Sequence, residues 1–140
     1  MAKIIIAKSV SFNAAHRLHA AQLSDDENKT IFGKCNNPNG HGHNYELDLE
    51  LIGDIDPITG MVVNLTEVKH IVEREIIEAF DHKNLNKDCE EFKHLVPTAE
   101  NIAVVIWNKL AKTKLKPYLH AVVLYETPKN RVRYQAPNND

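Results

Sequence analysis

The segment HGHNYELDLELIG, from His41 to Gly53, constrains the fold more than any other stretch of the chain. Tyr45, Leu47, Leu49 and Leu51 alternate with Asn44, Glu46, Asp48 and Glu50. Successive side chains of a β-strand point to opposite faces, so this alternation puts the apolar set on one side and the polar set on the other. As a helix the same residues would be scattered around the surface. The segment therefore belongs to a sheet covered on one face and polar on the other, the usual condition of antiparallel sheets.

The rest of the chain supplies the partners and the cover. Residues 4–12, IIIAKSVSF, are β-branched and end in alternation, which predicts a strand with His16 just beyond its end. Ser24 to Glu27 is a capping-box spacing that opens one or two helical turns through Ile31 and Phe32. DPITG is turn chemistry, after which Met61-Val62-Val63 is expected to return as a short antiparallel strand. Asn64 to Glu67 repeats the capping spacing ahead of Val68, Ile71, Val72, Ile76 and Ala79, a helix running to about Phe80. Thr98 caps a second long helix, with Ile102, Val105, Ile106 and Leu110 inward, that ends before Pro117. Tyr118–Glu126 and Arg131–Gln135 read as two strands around the turn TPKN, and PNND reads as a tail. The order ββααββ predicts one α+β domain over residues 1–140, a four-stranded antiparallel sheet with two long helices packed on one face.

Composition excludes several function classes. Seventeen basic against nineteen acidic residues give a net charge of −2, so nucleic acid and acidic membranes are not expected partners. The longest apolar runs are far too short to span a bilayer, and Met1-Ala2-Lys3 leads into the first strand without cleavage-site chemistry. Two cysteines, Cys35 and Cys89, point to reduced thiols and a cytoplasmic protein. No GxGxxG, phosphate loop, GxSxG or CxxC pattern occurs, so nucleotide-dependent redox chemistry and serine hydrolysis have no support.

Eight histidines are the compositional oddity. His41 and His43 are two apart on a strand, so both rings project to one face with Cα atoms about 7 Å apart. Antiparallel pairing of the first two strands brings His16 beside them. Three imidazoles are a ligand set for a catalytic zinc, which keeps a fourth position open. Cys35 sits in the tight polar segment GKCNNPNGHGHNY, which holds its thiol near such a metal. Three roles are open to it from chemistry alone: a thiolate base or nucleophile, a fourth ligand closing a structural site, or an inert small hydrophobe. Asp81-His82, at the end of the first long helix, is either a carboxylate-oriented proton-transfer group or a solvated helix end favoured by the dipole. Glu100 in the first turn of the second helix is favoured there by the dipole alone. Glu126 ends a strongly apolar strand, where its carboxylate could take two parallel hydrogen bonds from an amidine-like N–H pair.

At GKCNNPNGHGHNY the chain resembles the 6-pyruvoyl-tetrahydropterin synthase family in its animal-type form. The likeness extends over nearly the whole chain through SFNAAHRL, LSDDEN, DPITGMVVNL, FDHKNLN, PTAENIAVVIW and YET. The resemblance implies a zinc-dependent lyase that converts 7,8-dihydroneopterin triphosphate into 6-pyruvoyl-tetrahydropterin and inorganic triphosphate, on the route to tetrahydrobiopterin. It implies His16, His41 and His43 as ligands of one Zn2+ per subunit, with Mg2+ accompanying the triphosphate. Cys35 corresponds to the catalytic cysteine, and Asp81 with His82 to the rest of a proton-transfer triad. Glu126 corresponds to the pterin anchor, with Thr98 and Glu100 as secondary pocket residues. The implied architecture is the tunnelling fold, whose trimers stack into a homohexamer with active sites at subunit boundaries. Where relatives carry two consecutive threonines, this chain has Thr98-Ala99, which removes one minor contact. Two other functions compete: a 6-carboxy-tetrahydropterin synthase on the same fold, and a noncatalytic zinc-stabilised module with Cys35 as fourth ligand.

Overall fold

The computed structural model describes residues 3–137, so 138–140 of the expected tail lie outside the described residues. Strand β1 (Ile4–His16) pairs antiparallel with β2 (His41–Gly53) along its whole length, from Ile4 opposite Gly53 to His16 opposite His41. His16 is therefore the last residue of the strand rather than a residue beyond it. Asn13 to His16 have little β-propensity of their own, and the ladder with β2 imposes the extended state. Helix α1 (Asp25–Phe32) begins with the expected capping box: the Ser24 hydroxyl accepts from the Glu27 N–H, and the Glu27 carboxylate accepts from the Ser24 N–H. A 3-10 turn, Gly33–Asn36, follows and carries Cys35.

The first long helix is continuous to Phe80 but not uniform. It consists of α2 (Leu65–Val72), a π-helical turn (Glu73–Ile77) and α3 (Glu78–Phe80). The Asn64 side chain caps it by accepting from the Thr66 N–H, while Glu67 leaves the expected box incomplete and pairs with Lys114 instead. Then come β3 (Lys83–Asn84), α4 (Leu85–Asp88) and α5 (Ala99–Leu110), the last capped by the Thr98 side chain through the Asn101 N–H. Strands β4 (Leu119–Thr127) and β5 (Asn130–Tyr134) complete the chain.

The sheet order is β3-β1-β2-β4-β5. The expected four-stranded antiparallel sheet is thus five-stranded and mixed, because Lys83 and Asn84 pair in parallel with Ala14 and Ala15. A two-residue strand carries no alternation to read; it exists because the chain leaving α3 is tied to the edge of β1. Met61–Val63 does not form the expected strand. Its loop closes on itself, with the Asp56 N–H on the Met61 carbonyl and the Gly60 N–H on the Asp56 carbonyl.

The two long helices cover one face as expected. Tyr45, Leu47, Leu49 and Leu51 of β2 are fully buried there, against Val72, Ile76 and Phe80 of the first helix and Ile102, Ile106 and Leu110 of α5. The opposite face is polar, with Ser9 on Asp48 at 2.5 Å and Ser11 on Glu46 at 2.7 Å across the β1–β2 pair. No helix among the described residues is long and apolar enough to cross a membrane.

Candidate metal centre and active site

The core stripe of each central strand changes chemistry at one end of the sheet. On β1 it runs Phe12, Ala14, His16, and on β2 it runs Leu47, Tyr45, His43, His41, with Ala14 opposite His43 and His16 opposite His41. On β4 it runs Val122, Leu124, Glu126, and the β4–β5 register shifts between Tyr125 and Thr127, around Glu126. The imidazoles and the carboxylate are thus core positions filled with polar groups, held by the same period of two that buries the leucines.

The ligand atoms of His16, His41 and His43 lie within 4.8 Å of one another, with His16 Nε2 and His41 Nε2 at 3.1 Å. His16 is wholly buried, and its Nδ1 donates to the Pro97 carbonyl oxygen at 2.7 Å. Because a carbonyl only accepts, the proton resides on Nδ1 and the Nε2 lone pair faces the cluster. Burial, reinforced by the neighbouring His41 and His43, lowers the His16 pKa to about 4, although the Pro97 hydrogen bond opposes the shift. Burial and then His43 lower His41 as well. Both rings are neutral near pH 7 and available as ligands.

His41 Nδ1 and His43 Nε2 are buried without a hydrogen-bond partner. An unpaired buried nitrogen costs free energy that a bound cation would recover, so the residues present fit a metal. Cys35 is not part of this group, so the reading of one cysteine and three histidines as a closed structural site has no counterpart here. The Tyr45 hydroxyl lies 3.3 Å from His16 Nδ1, and burial pushes its pKa far upward, which keeps the phenol neutral.

Two cavities flank the cluster. One, of about 790 Å³, is lined by Cys35, His41 and His43 together with Arg17, Lys29 and Lys34. The other, of about 530 Å³, is lined by Thr98, Glu100 and Glu126 together with Lys129 and Arg131. Glu126 connects them: its carboxylate oxygens lie 3.7 Å from His43 Nε2 and 4.0 Å from His16 Nε2. Six of the nine expected site residues therefore border these two spaces around one cluster, the exceptions being His16, Asp81 and His82.

Asp81 and His82 are not brought to either cavity. They sit at the β1 edge, where Asp81 Oδ1 accepts from the Asn13 N–H at 2.8 Å and the Asn13 carbonyl accepts from the His82 N–H at 2.6 Å. Asp81 Oδ2 holds His82 Nδ1 at 2.9 Å, and the His82 side chain is 82% exposed. The Asn13 N–H, with the His82 ring second, keeps the Asp81 carboxyl below its usual range. His82 has φ +59°, a left-handed conformation uncommon for a residue with a Cβ. The solvated-helix-end reading accounts for its exposure but not for a carboxylate locked onto the ring.

Sequence reasoning missed three parts of the site. Tyr45 was legible, since it continues the parity of His41 and His43. Pro97 acts through a backbone carbonyl, which leaves no side-chain signal. Arg17, Lys29 and Lys34 are drawn to one cavity only by the packing of the 3-10 turn against the end of β1.

The sequence model described as 6-pyruvoyl tetrahydropterin synthase matches residues 5–137. The 6-pyruvoyl tetrahydrobiopterin synthase of Poecilia reticulata is 49% identical over 130 residues, covering 93% of this chain and 88% of that protein. The Homo sapiens protein of the same name is 48% identical over 130 residues, covering 93% of this chain and 90% of that one. The solved structure of Caenorhabditis elegans 6-pyruvoyl tetrahydropterin synthase superposes with a TM-score of 0.94 at 44% identity, covering 98% of each chain. With an α+β fold of that structure and a family match over nearly its whole length, this chain belongs to the 6-pyruvoyl tetrahydropterin synthase family.

Proposed function

We propose that this chain is a zinc-dependent lyase that converts 7,8-dihydroneopterin triphosphate into 6-pyruvoyl-tetrahydropterin and inorganic triphosphate in tetrahydrobiopterin biosynthesis. The observation that carries the reading is the cluster of three imidazoles between a cavity holding a thiol and a cavity ending in a carboxylate. High identity to animal relatives bearing the synthase name supports the pyruvoyl-forming reaction over the carboxy-forming one.

His16, His41 and His43 are the residues that would hold Zn2+. Bound there, the ion supplies Lewis-acid polarisation of oxygens on the substrate side chain. Glu126 accepts two N–H groups from the amidine edge of the pterin, with Thr98 and Glu100 lining the same cavity. The Cys35 thiolate removes a side-chain proton. Asp81 fixes the His82 ring through Nδ1, which leaves Nε2 to exchange protons with the side-chain oxygens. Triphosphate departs by C–O elimination, which is redox-neutral because the terminal carbon becomes a methyl group as its alcohol neighbour becomes a ketone. The alcohol carbon next to the ring becomes the second ketone, and its two electrons reduce the C=N bond of the dihydropterin ring, so no external reductant is needed.

The position of the dyad bears on assembly. Asp81-His82 is exposed at a sheet edge and faces neither cavity, so we assign it to the site of a neighbouring copy, within a homohexamer of two stacked trimers with the tunnelling fold. Mg2+ accompanies the triphosphate, and the protein works as a single cytoplasmic domain. The test is removal of zinc by a chelator followed by its return. Triphosphate release should vanish and then recover, whereas release unaffected by zinc removal would exclude the proposed chemistry.

A further inference from the structure

The two cavities beside the imidazoles differ in charge. The one shared by Cys35, His41 and His43 presents Arg17, Lys29 and Lys34 against a single carboxylate, Asp25. The one ending in Glu126 presents Lys129 and Arg131 against Glu100 and Glu126. The first is net cationic and the second is balanced, so the two sides of the imidazole cluster do not attract the same ligand.

Arg17 is built into that cationic wall. Its backbone is clamped on both sides by one side chain, with the Arg17 N–H on Asn86 Oδ1 at 2.7 Å and Asn86 Nδ2 on the Arg17 carbonyl at 2.9 Å. Its Nε donates to the Asn36 carbonyl at 3.0 Å. Asn36 is itself 5% exposed and tied to the Leu18 carbonyl at 2.8 Å. These bonds use the inner N–H of the guanidinium and leave both terminal amino groups without a protein partner among the described residues. Lys29 and Lys34 likewise form no ion pair among the described residues, although seven other lysines and arginines do. Lys34 and Cys35 are neighbours on the 3-10 turn, and that turn is bound to the end of β1 through the Leu18 N–H on the Cys35 carbonyl at 2.9 Å.

We propose that Arg17, Lys29 and Lys34 form the polyphosphate subsite, which directs the substrate triphosphate to the Cys35 side of the imidazole cluster and the ring to the Glu126 side. This rests on the synthase reading given above. A planar guanidinium with a free fork and two mobile ammonium groups is a suitable set for a flexible chain of phosphates. In the other cavity Glu100 and Glu126 repel a polyanion, and Arg131 is committed to Tyr125, with Nη1 on the hydroxyl at 3.3 Å.

Inorganic triphosphate is the probe. Its dissociation constant for the zinc-loaded protein would be measured by calorimetry, with and without Mg2+, for wild type, Lys29→Ala, Lys34→Ala and the Lys129→Ala/Arg131→Ala pair. Each of the two single variants should weaken triphosphate about tenfold and raise KM for the triphosphorylated substrate by a similar factor. Their affinity for unphosphorylated dihydroneopterin should not change, a readout that general misfolding would disturb. Unchanged triphosphate affinity in Lys29→Ala and Lys34→Ala would overturn the subsite, as would a loss confined to the Lys129→Ala/Arg131→Ala pair. A wild-type protein that binds triphosphate but does not turn over the substrate would instead contradict the synthase reading and leave these binding measurements to stand on their own.

Discussion

His16 donates from Nδ1 to the Pro97 carbonyl oxygen at 2.7 Å, which turns its Nε2 toward His41 Nε2 at 3.1 Å. A single backbone acceptor, in the turn before α5, thereby sets the tautomer of the most buried imidazole in the cluster. Removing this ring removes both a proposed ligand and the partner of a buried carbonyl. His16→Ala should lower bound zinc from about one ion per chain to a small fraction, measured by elemental analysis after dialysis. Retention of full zinc would show that His16 is not a ligand.

The same burial gives the metal-free protein a defined acid response. The His16 pKa is lowered from 6.5 to about 4 by burial, so the folded ring resists a proton that the unfolded ring accepts. Its contribution is present above pH 6.5 and is lost as the pH falls toward 4, amounting to about 2–3 kcal/mol. His41, also lowered, acts in the same direction. Urea unfolding of the zinc-stripped protein should show a lower midpoint at pH 4.5 than at pH 7.5, and an equal or higher midpoint at pH 4.5 would contradict this origin.

Cys35 and Cys89 differ in placement, one beside a cavity and the other in the core. Cys35 borders the cavity beside the imidazoles, whereas Cys89 is 4% exposed in the hydrophobic core and burial pushes its thiol pKa up. Cys35→Ala should retain zinc and lose about two to four orders of magnitude in kcat. Loss of zinc with Cys35→Ala would restore the fourth-ligand reading. Cys89→Ala should cost stability rather than chemistry.

Much of this was legible in the strand periodicity, and the gaps have physical causes. The alternation from Tyr45 to Leu51 defined the covered face, and Ser24 and Thr98 marked two helix starts that the structure reproduces. The extension of β1 to His16 was obscured because Asn13, Ala14 and Ala15 take their conformation from the β2 ladder rather than from propensity. β3 is defined by a tertiary pairing of two residues, and Met61–Val63 resembles a strand in composition while its loop bonds internally. The histidine pair His41-His43 declared its shared face, but the separation of Asp81-His82 from the cavities follows from the tie to Asn13, which no side-chain pattern encodes.

Gly40 illustrates how backbone shape supports the cluster. It has φ +74°, and a Cβ there would lie 3.0 Å from the His16 carbonyl oxygen, whereas Gly60, also at φ +74°, faces open space. Gly60→Ala should cost about 1 kcal/mol from conformation alone. Gly40→Ala adds a clash with the strand that carries His16, so it should cost about 2–3 kcal/mol and weaken zinc binding as well. Thermal unfolding of both variants, with and without zinc, checks the difference.

If Asp81-His82 completes a neighbouring site, two dead variants should repair one another. Cys35→Ala and His82→Ala are each expected to be inactive alone. Co-expressed in one assembly, they should recover about a quarter of wild-type activity through sites that draw an intact residue from each chain. Absence of any recovery in verified mixed assemblies would place all three residues in one chain's site.

The most direct test follows the reaction itself. Zinc-loaded protein is incubated with 7,8-dihydroneopterin triphosphate and Mg2+, triphosphate release is measured, and the pterin is identified by mass spectrometry. Stoichiometric triphosphate with a product of the mass of 6-pyruvoyl-tetrahydropterin is the predicted result. Folded, zinc-loaded protein that releases no triphosphate, or that yields a pterin shortened by side-chain carbon loss, would contradict the account.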